Sequence, residues 1–362
     1  GHWHHLAFSV DRQQQEARLY YDGDNVAIYN LAGLGSYHGD SLPRIGTDTT
    51  MEGALLDGEI EGFTLREGID SPEEIATAWT ARYPAKKPAI HSEKSLNKIR
   101  VLAWNIWNGG REEGVEEGVE RVIDVIRDSR ADIVAMQETY GSGPHIADGL
   151  GYYFYSRSSN LSLLSRFPIR ETHDLYDDSF RFGGATFTLS PGQYLDVYSL
   201  WIHYLPDFCN DVRQPQANAA SLIAAEEKTR GHEIRGILKA LSPRLRDKSR
   251  TVIVAGDFNS PSHLDWVPQT RVLHRDLVVE WPVSRTMAEA GFTDAYRQAR
   301  PNPLTDPGRT WTPRSAESWQ DRIDYVYYSG QHMHCHAAEV LEHHPDGWPS
   351  DHAGVLATLQ LT

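Results

Sequence analysis

The chain has 362 residues, 40% of them hydrophobic and 23% charged, with 50 acidic against 35 basic side chains and a formal charge of −15. That length exceeds the usual span of one hydrophobic core, so two domains are expected, and the composition is that of an ordinary globular protein. The acidic field repels polyphosphate backbones at long range, no apolar run approaches the ~18 residues of a membrane span, and two cysteines imply neither a disulfide framework nor a thiolate metal site. The sequence begins at Gly1 without methionine, as a processed or trimmed chain would.

In chain order, the first eighty or so residues read as all-β. "WHHLAFSV" and "ARLYYDG" alternate apolar with polar or small residues, "YYDGDN" carries hairpin-turn chemistry, and "DGEIEGFTLREG" is a further strand candidate. "SPEEIATAWTARY" has an N-cap serine, Pro72 in the first turn, and Ile75, Ala78 and Trp79 at helical spacing. Residues 84–98, rich in proline and lysine, read as a linker. The pattern then becomes mixed α/β: strand "IRVLAWNIW", helix "GVERVIDVIRDS", strand "ADIVAMQET", and strands "GYYFYS", "SNLSLLS" and "YLDVYSLWIHYL". "QANAASLIAAEEKTRGHEIRGILKALSPRL" is the longest helical stretch; "RTVIVAGDFN", "DRIDYVYYSG" and "AGVLATLQL" complete the strands.

Several apolar strands end in an acid, amide or histidine: Asn105, Glu138, His203, and Asp257 with Asn259. Two clusters, Asp321/Asp324 and Asp351/His352, precede strands. Packed sheets would gather these ends at one rim. Pooled carboxylates repel unless a hard cation sits among them, and oxygen ligands suit Mg²⁺, with Mn²⁺ and Ca²⁺ as alternatives. The period of two along a strand points Asp257 and Asn259 to one side, with Phe258 turned into the core between them. A carboxylate beside a carboxamide suits water attack at phosphorus, where positioning and charge neutralisation dominate.

The ordered motifs "LAWNI", "MQE", "GDFN", "RIDYV" and "SDH" resemble the endonuclease/exonuclease/phosphatase (DNase I-like) superfamily over residues 99–362. The resemblance implies a four-layered α/β/β/α sandwich and metal-assisted hydrolysis of a phosphate ester. It makes Glu138 the principal metal ligand, with Asn105 and Asp351 beside it. Asp257 orients or activates the water, Asn259 and His352 hold the phosphoryl group, and Asp324 orients His352. His203 lies near the leaving oxygen and protonates it. Some abasic-site nucleases carry an aspartate where this chain has Trp107, so that strand offers no second metal ligand.

Residues 1–83 resemble the later half of a laminin-G-like, concanavalin A-like jelly roll, through "WHHLAFSVD", "ARLYYDG", "LPRIGTD" and "LDGEIEGFTLREGIDSPEEIATAW". That resemblance implies a secreted or extracytoplasmic enzyme and a carbohydrate contact through this piece.

Candidate substrate contacts are Arg157 and Asn160 in "RSSNLSLLSRFP", Arg309 in "PGRTWTP", and His263, Asp265 and Trp266 just after the GDFN motif. Trp266, Trp281, Trp311 and Trp348 lie in or next to polar connections and either wall the substrate or fill the core. The leading expectation is a Mg²⁺-dependent phosphoesterase acting on a small, glycan- or lipid-linked ester. The alternatives are a secreted DNase I-like nuclease and a carbohydrate-binding or adhesion protein with an inactive hydrolase fold.

Overall fold

β1 (Leu6–Asp11), β2 (Glu16–Tyr21) and β3 (Asp24–Asn30) form an antiparallel meander. Asp22 and Gly23 turn β2 into β3 with φ of 51° and 89°, the left-handed backbone that matches strand twist in a two-residue hairpin. The computed structural model describes residues 2–35, 45–46, 56–84, 96–315 and 319–361; the expected linker lies mostly, and "LPRIGTD" largely, outside them.

The strands that follow are β4 (Lys98–Asn105), β5 (Ile133–Gln137), β6 (Tyr153–Ser156), β7 (Ser162–Ser165), β8 (Ile169–His173), β9 (Phe182–Ser190) and β10 (Gln193–Trp201). After them come β11 (Val252–Asp257), β12 (Thr293–Asp294), β13 (Asp324–Ser329), β14 (Met333–Leu341) and β15 (Gly354–Leu361). Among the described residues these make two sheets, in the orders β1-β2-β3-β6-β7-β5-β4-β15-β14 and β12-β13-β11-β10-β9-β8.

Strand alternation builds the layers. Val101, Ala103, Ile253, Ala255, Val326 and Val355 meet in the core between the sheets. Leu102 and Trp104 face outward, onto Val122 and Ile126 of the helix Glu117–Ser129. Val252, Val254 and Phe258 face the other way, onto Ile234 and Ile237 of the helix Arg230–Arg246. The result is a mixed α/β fold of two sheets with helices outside, as the motifs implied.

Two sequence readings change. "DGEIEGFTLREG" forms no strand: Ile60, Phe63 and Leu65 are exposed, and no described strand pairs with the segment. The long helical stretch is two helices, Ala219–Glu227 and Arg230–Arg246, because Thr229 leaves the helical region at φ −122°, ψ −95°. The amino-terminal strands join the larger sheet, β3 pairing in parallel with β6 through Ala27–Phe154 and Tyr29–Ser156. Ile28 of β3 joins the core between the two sheets, and Thr172 of β8 donates to Glu16 of β2; nothing in this packing specifically supports the laminin-G-like reading. The capped helix Pro72–Arg82 is as read, with Ser71 and Glu74 in a reciprocal capping box and Ile75 and Trp79 buried. Cys209 and Cys335 are unpaired thiols.

His173, at the end of the edge strand β8, provides a pH test of this fold. Burial and the Arg244 guanidinium hold its imidazole down at about 4, against the opposing pull of Asp196 and Glu171. A depressed folded value means the fold accepts the neutral ring. Its contribution is therefore complete above the unfolded value near 6.5 and is lost as pH falls from there toward 4. The stability gap between wild type and His173→Gln is expected to shrink by roughly 2 kcal/mol between pH 7 and pH 4.5. Urea midpoints at the two pH values measure it, and a constant gap refutes the assignment.

Candidate active site

β4 and β5 run parallel, as do β10 and β11, so their carboxyl ends reach the same rim of the two-sheet core. Asn105 continues the inward parity of Val101 and Ala103, and Asp257 that of Ile253 and Ala255. The two side chains thus face each other across the sheets, with Asn105 Nδ2 donating to Asp257 Oδ2 at 3.1 Å. Gly256 makes this possible. Its φ is 149°, and a Cβ there would stand 2.1 Å from the Leu200 carbonyl oxygen.

Asn105 Nδ2 also donates to Glu138 Oε1 (3.0 Å), while its oxygen accepts from the Trp107 amide (3.0 Å). It therefore draws the two carboxylates together. Glu138 sits one residue beyond β5 at φ 54°, its own amide donating to Asn160 Oδ1 at 2.7 Å.

β11 ends at Asp257, and Asn259 reaches the site by a left-handed turn (φ 48°) rather than by strand alternation. Its amide donates to Asp257 Oδ1 (2.8 Å), and its Nδ2 to Asp257 Oδ2 (3.2 Å) and the Ile202 carbonyl (2.9 Å). Phe258 is buried against Tyr325 and Tyr327, as expected.

His352 Nδ1 pairs with Asp324 Oδ2 at 2.9 Å, and its Nε2 lies 3.8 Å from Asp257 Oδ2. Its backbone is held from both sides: Trp104 and Trp348 indoles donate to its carbonyl (3.1 and 2.8 Å), and its amide donates to Ser350 Oγ (3.0 Å). Burial opposes a charged ring here, yet Asp324 and Asp257 raise the imidazole to about 10. Burial pushes Asp257 up to about 7, with Asp324 adding to the rise and the imidazolium resisting it.

Asp257, Asp324 and His352 bring potential ligand atoms within 4.8 Å of one another. The ring of His352 is already committed to Asp324, however, which suits proton and hydrogen-bond work. The better cation seat is beside it. Asp351 Oδ1 is buried with no hydrogen-bond partner, and burial with Glu138 as a neighbouring charge raises that carboxyl to about 6. An orphaned carboxylate oxygen facing a second acid fits a hard, oxygen-seeking cation.

Glu138, Asp257, Asn259, Asp351 and His352 line one cleft of about 430 Å³. Its wall is aromatic: Trp107, Trp201, Tyr204, Phe208, Trp311 and Trp319. Among these, only Trp311 is read from the sequence as a candidate substrate wall; Trp107 is noted there only as standing where some abasic-site nucleases carry an aspartate. Trp107 and Trp201 each stand two residues from a motif residue, Asn105 and His203, and that spacing is the signal that could have found them.

Other candidates lie elsewhere. Asn160 is fully buried and spends its side chain on Glu138 and the Phe180 carbonyl (2.9 Å), so it positions the acid rather than touching substrate. Arg157 is buried on Phe182 and Tyr176 carbonyls and Asp174. Trp266 is core, donating to Asp321 Oδ2 at 2.8 Å, and Trp281 packs edge-on against it. Asp265 joins Arg297 (2.5 Å) and Arg322 (2.7 Å) in a buried ionic cluster. His263 pairs with Ser284 Oγ (2.8 Å), and Arg309 borders a separate hollow of about 30 Å³ near His274. Trp348 packs on Trp104 at 4.9 Å. His203 is half-buried and is not part of the cleft's lining; it stacks on Tyr204, which is, and its Nδ1 accepts from the Leu205 amide at 2.9 Å.

The endonuclease/exonuclease/phosphatase family profile matches residues 102–352. An uncharacterized protein of Caenorhabditis elegans is 29% identical over 296 residues, 74% of this chain and 92% of that protein. A structure of D. rerio TDP2 complexed with a single-strand DNA product superposes with a TM-score of 0.52 at 16% identity, covering 73% of this chain and 99% of that one. A family protein from Bacteroides thetaiotaomicron gives 0.52 at 17% identity, covering 73% and 98%. These two likenesses concern the fold. No described helix is long and apolar enough to cross a membrane.

Proposed function

Since the chain belongs to the endonuclease/exonuclease/phosphatase family, whose members are hydrolases acting on phosphate esters, we propose that it is a divalent-metal-dependent phosphoesterase for a small ester carrying a flat or apolar substituent. The observation that carries this reading is the convergence of Glu138, Asp257, Asn259, Asp351 and His352 on one aromatic-walled cleft. Glu138 and Asp351 would hold the cation, which supplies charge neutralisation at a phosphoryl oxygen. Asp257 orients a water and takes its proton. The imidazolium of His352 donates to a phosphoryl oxygen, Asn259 joins it by turning an Nδ2 hydrogen from Asp257 to the substrate, and Asp324 fixes the His352 ring. As the water oxygen bonds to phosphorus, the ester oxygen departs with the bonding pair, stabilised by a hydrogen bond from His203. It takes up a proton from solvent, to which Asp257 returns its own.

The cleft volume supports a compact substrate. Its lining carries four acids, Glu138, Asp207, Asp257 and Asp351, against Arg213 and the imidazolium of His352, a balance that disfavours a polyanion except where the cation screens it. A second reading is an exonuclease acting on single-stranded ends, favoured by aromatic rings on which a base can stack and by the nucleic-acid product bound to the D. rerio neighbour.

The test is turnover with Mg²⁺ or Mn²⁺, with and without EDTA, over a fixed panel. The panel holds p-nitrophenyl phosphate, p-nitrophenyl phosphorylcholine with glycerophosphorylcholine, thymidine p-nitrophenyl phosphate with thymidylyl-thymidine, sphingomyelin, a single-stranded oligonucleotide and plasmid DNA. EDTA-sensitive cleavage of small esters is expected, at rates exceeding those on plasmid. Absence of turnover across the panel overturns the hydrolase reading and leaves the fold as a binding module.

A further inference from the structure

We propose that Arg230 and Glu226, a buried ion pair outside the cleft, are positioning residues that lock the His203 loop onto the Asp257–Asn259 loop and thereby set leaving-group stabilisation. The inference rests on the phosphoesterase reading above.

Both side chains are fully buried, and Arg230 Nη2 lies 3.6 Å from Glu226 Oε2. Arg230 is the first residue of its helix, immediately after the break at Thr229, and Glu226 lies in the last turn of the preceding one, so the pair spans the break. Its Nη1 reaches three carbonyls of one short loop: His203 (3.2 Å), Tyr204 (3.1 Å) and Pro206 (2.9 Å). That loop leaves β10 after Trp201; Ile202 is still tied to the Asp257–Asn259 segment, through its amide on the Asp257 carbonyl (3.2 Å) and its carbonyl on Asn259 Nδ2 (2.9 Å), and beyond it Arg230 takes over. Glu226 grips the other side. Both its oxygens accept from Ser260 Oγ at 3.0 Å, and one accepts from the Val283 amide at 2.9 Å. Ser260 adjoins Asn259, so the pair ties the loop bearing His203 to the loop bearing the phosphoryl-binding amide.

An ion pair in a protein interior is a poor way to gain stability, because desolvation consumes most of the attraction. Its use here is geometric. The Leu205 amide donates to His203 Nδ1 at 2.9 Å, so that nitrogen is the acceptor and Nε2 carries the hydrogen. The neutral ring then offers Nε2–H to the leaving oxygen. Arg230, by holding the carbonyls on either side of Leu205, preserves the turn that sets this tautomer. The Glu233 carboxylate supports the same turn from the His203 amide at 2.8 Å.

A hydrogen bond to the departing oxygen matters when that oxygen becomes a basic alkoxide and little when it becomes p-nitrophenolate. Two pairs in the panel share the transferred group and differ in what leaves: thymidine p-nitrophenyl phosphate with thymidylyl-thymidine, and p-nitrophenyl phosphorylcholine with glycerophosphorylcholine. With whichever pair wild type cleaves, Arg230→Met is expected to lower kcat on the alkyl ester by about 10-fold or more, the p-nitrophenyl ester by less than about 3-fold, and to leave KM unchanged. Glu226→Gln, which keeps the shape and removes the charge, is expected to show the same split in milder form and serves if Arg230→Met does not fold. His203→Ala reproduces the pattern. Equal losses on both esters in a folded variant mean a purely structural role and overturn the proposal, as do unchanged rates on both. If wild type cleaves no ester, the phosphoesterase reading itself falls and takes the proposal with it.

Discussion

His352→Ala is expected to lower kcat by about 10²-fold or more, the scale of one lost oxyanion-type donor. The reasoning is geometric. His352 is the one imidazole among the described residues held on a buried carboxylate while its second nitrogen lies within 4 Å of Asp257. Without it, Asp324 keeps a buried negative charge with no cation beside it, so thermal unfolding must be followed along with activity. Asp257→Asn is the companion variant. It preserves the shape, removes the acceptor for the water's proton, and is expected to cost a similar factor in kcat. Its amide nitrogen must face a donor, since both Asp257 oxygens accept, so its thermal unfolding is followed as well. Steady-state kinetics near wild-type level for both variants would refute the assignment of this cluster as catalytic.

Glu138→Gln carries the second large effect. Glu138 shares the cleft with the orphaned Asp351 oxygen, and the Asn105 amide donates to it. Removing its charge is expected to raise the Mg²⁺ or Mn²⁺ concentration at half-saturation by about 10²-fold, since even outer groups around a metal site change affinity by 10–100-fold. Calorimetric titration of the ion into metal-free protein measures this independently of turnover. Activity should return in part at high metal concentration. An unchanged binding isotherm would move the cation seat away from Glu138, toward the Asp257, Asp324 and His352 cluster.

Much of the site was legible along the chain because the signal is local. A run such as "VIVAGDFN" buries two faces of a strand and then switches to polar residues. Burial by alternation needs no knowledge of partners, and neither does the capping box at Ser71. The parity argument for Asp257 and Asn259 brought both to one site, although a left-handed turn rather than strand alternation delivers Asn259.

What the chain's pattern left open depends on contacts between distant segments. Arg157 and Asn160 read as candidate substrate contacts, yet the fold buries both and spends them on the carbonyls of Phe182 and Phe180. Trp266 and Trp311 look alike in sequence. One fills the core beneath Asp321 and the other walls the cleft, a difference made by long-range packing alone. β9, with its paired glycines, and β14, with its histidines, carry weak local strand signals and exist because β10 and β15 pair with them. The same holds at the amino terminus, where the meander was visible but its docking on β6 was not. Local alternation and polar strand ends thus determined the strands, their rim and the chemistry gathered there. Only cross-sheet and loop-to-loop contacts decided which polar side chains face the cleft and which are spent holding it.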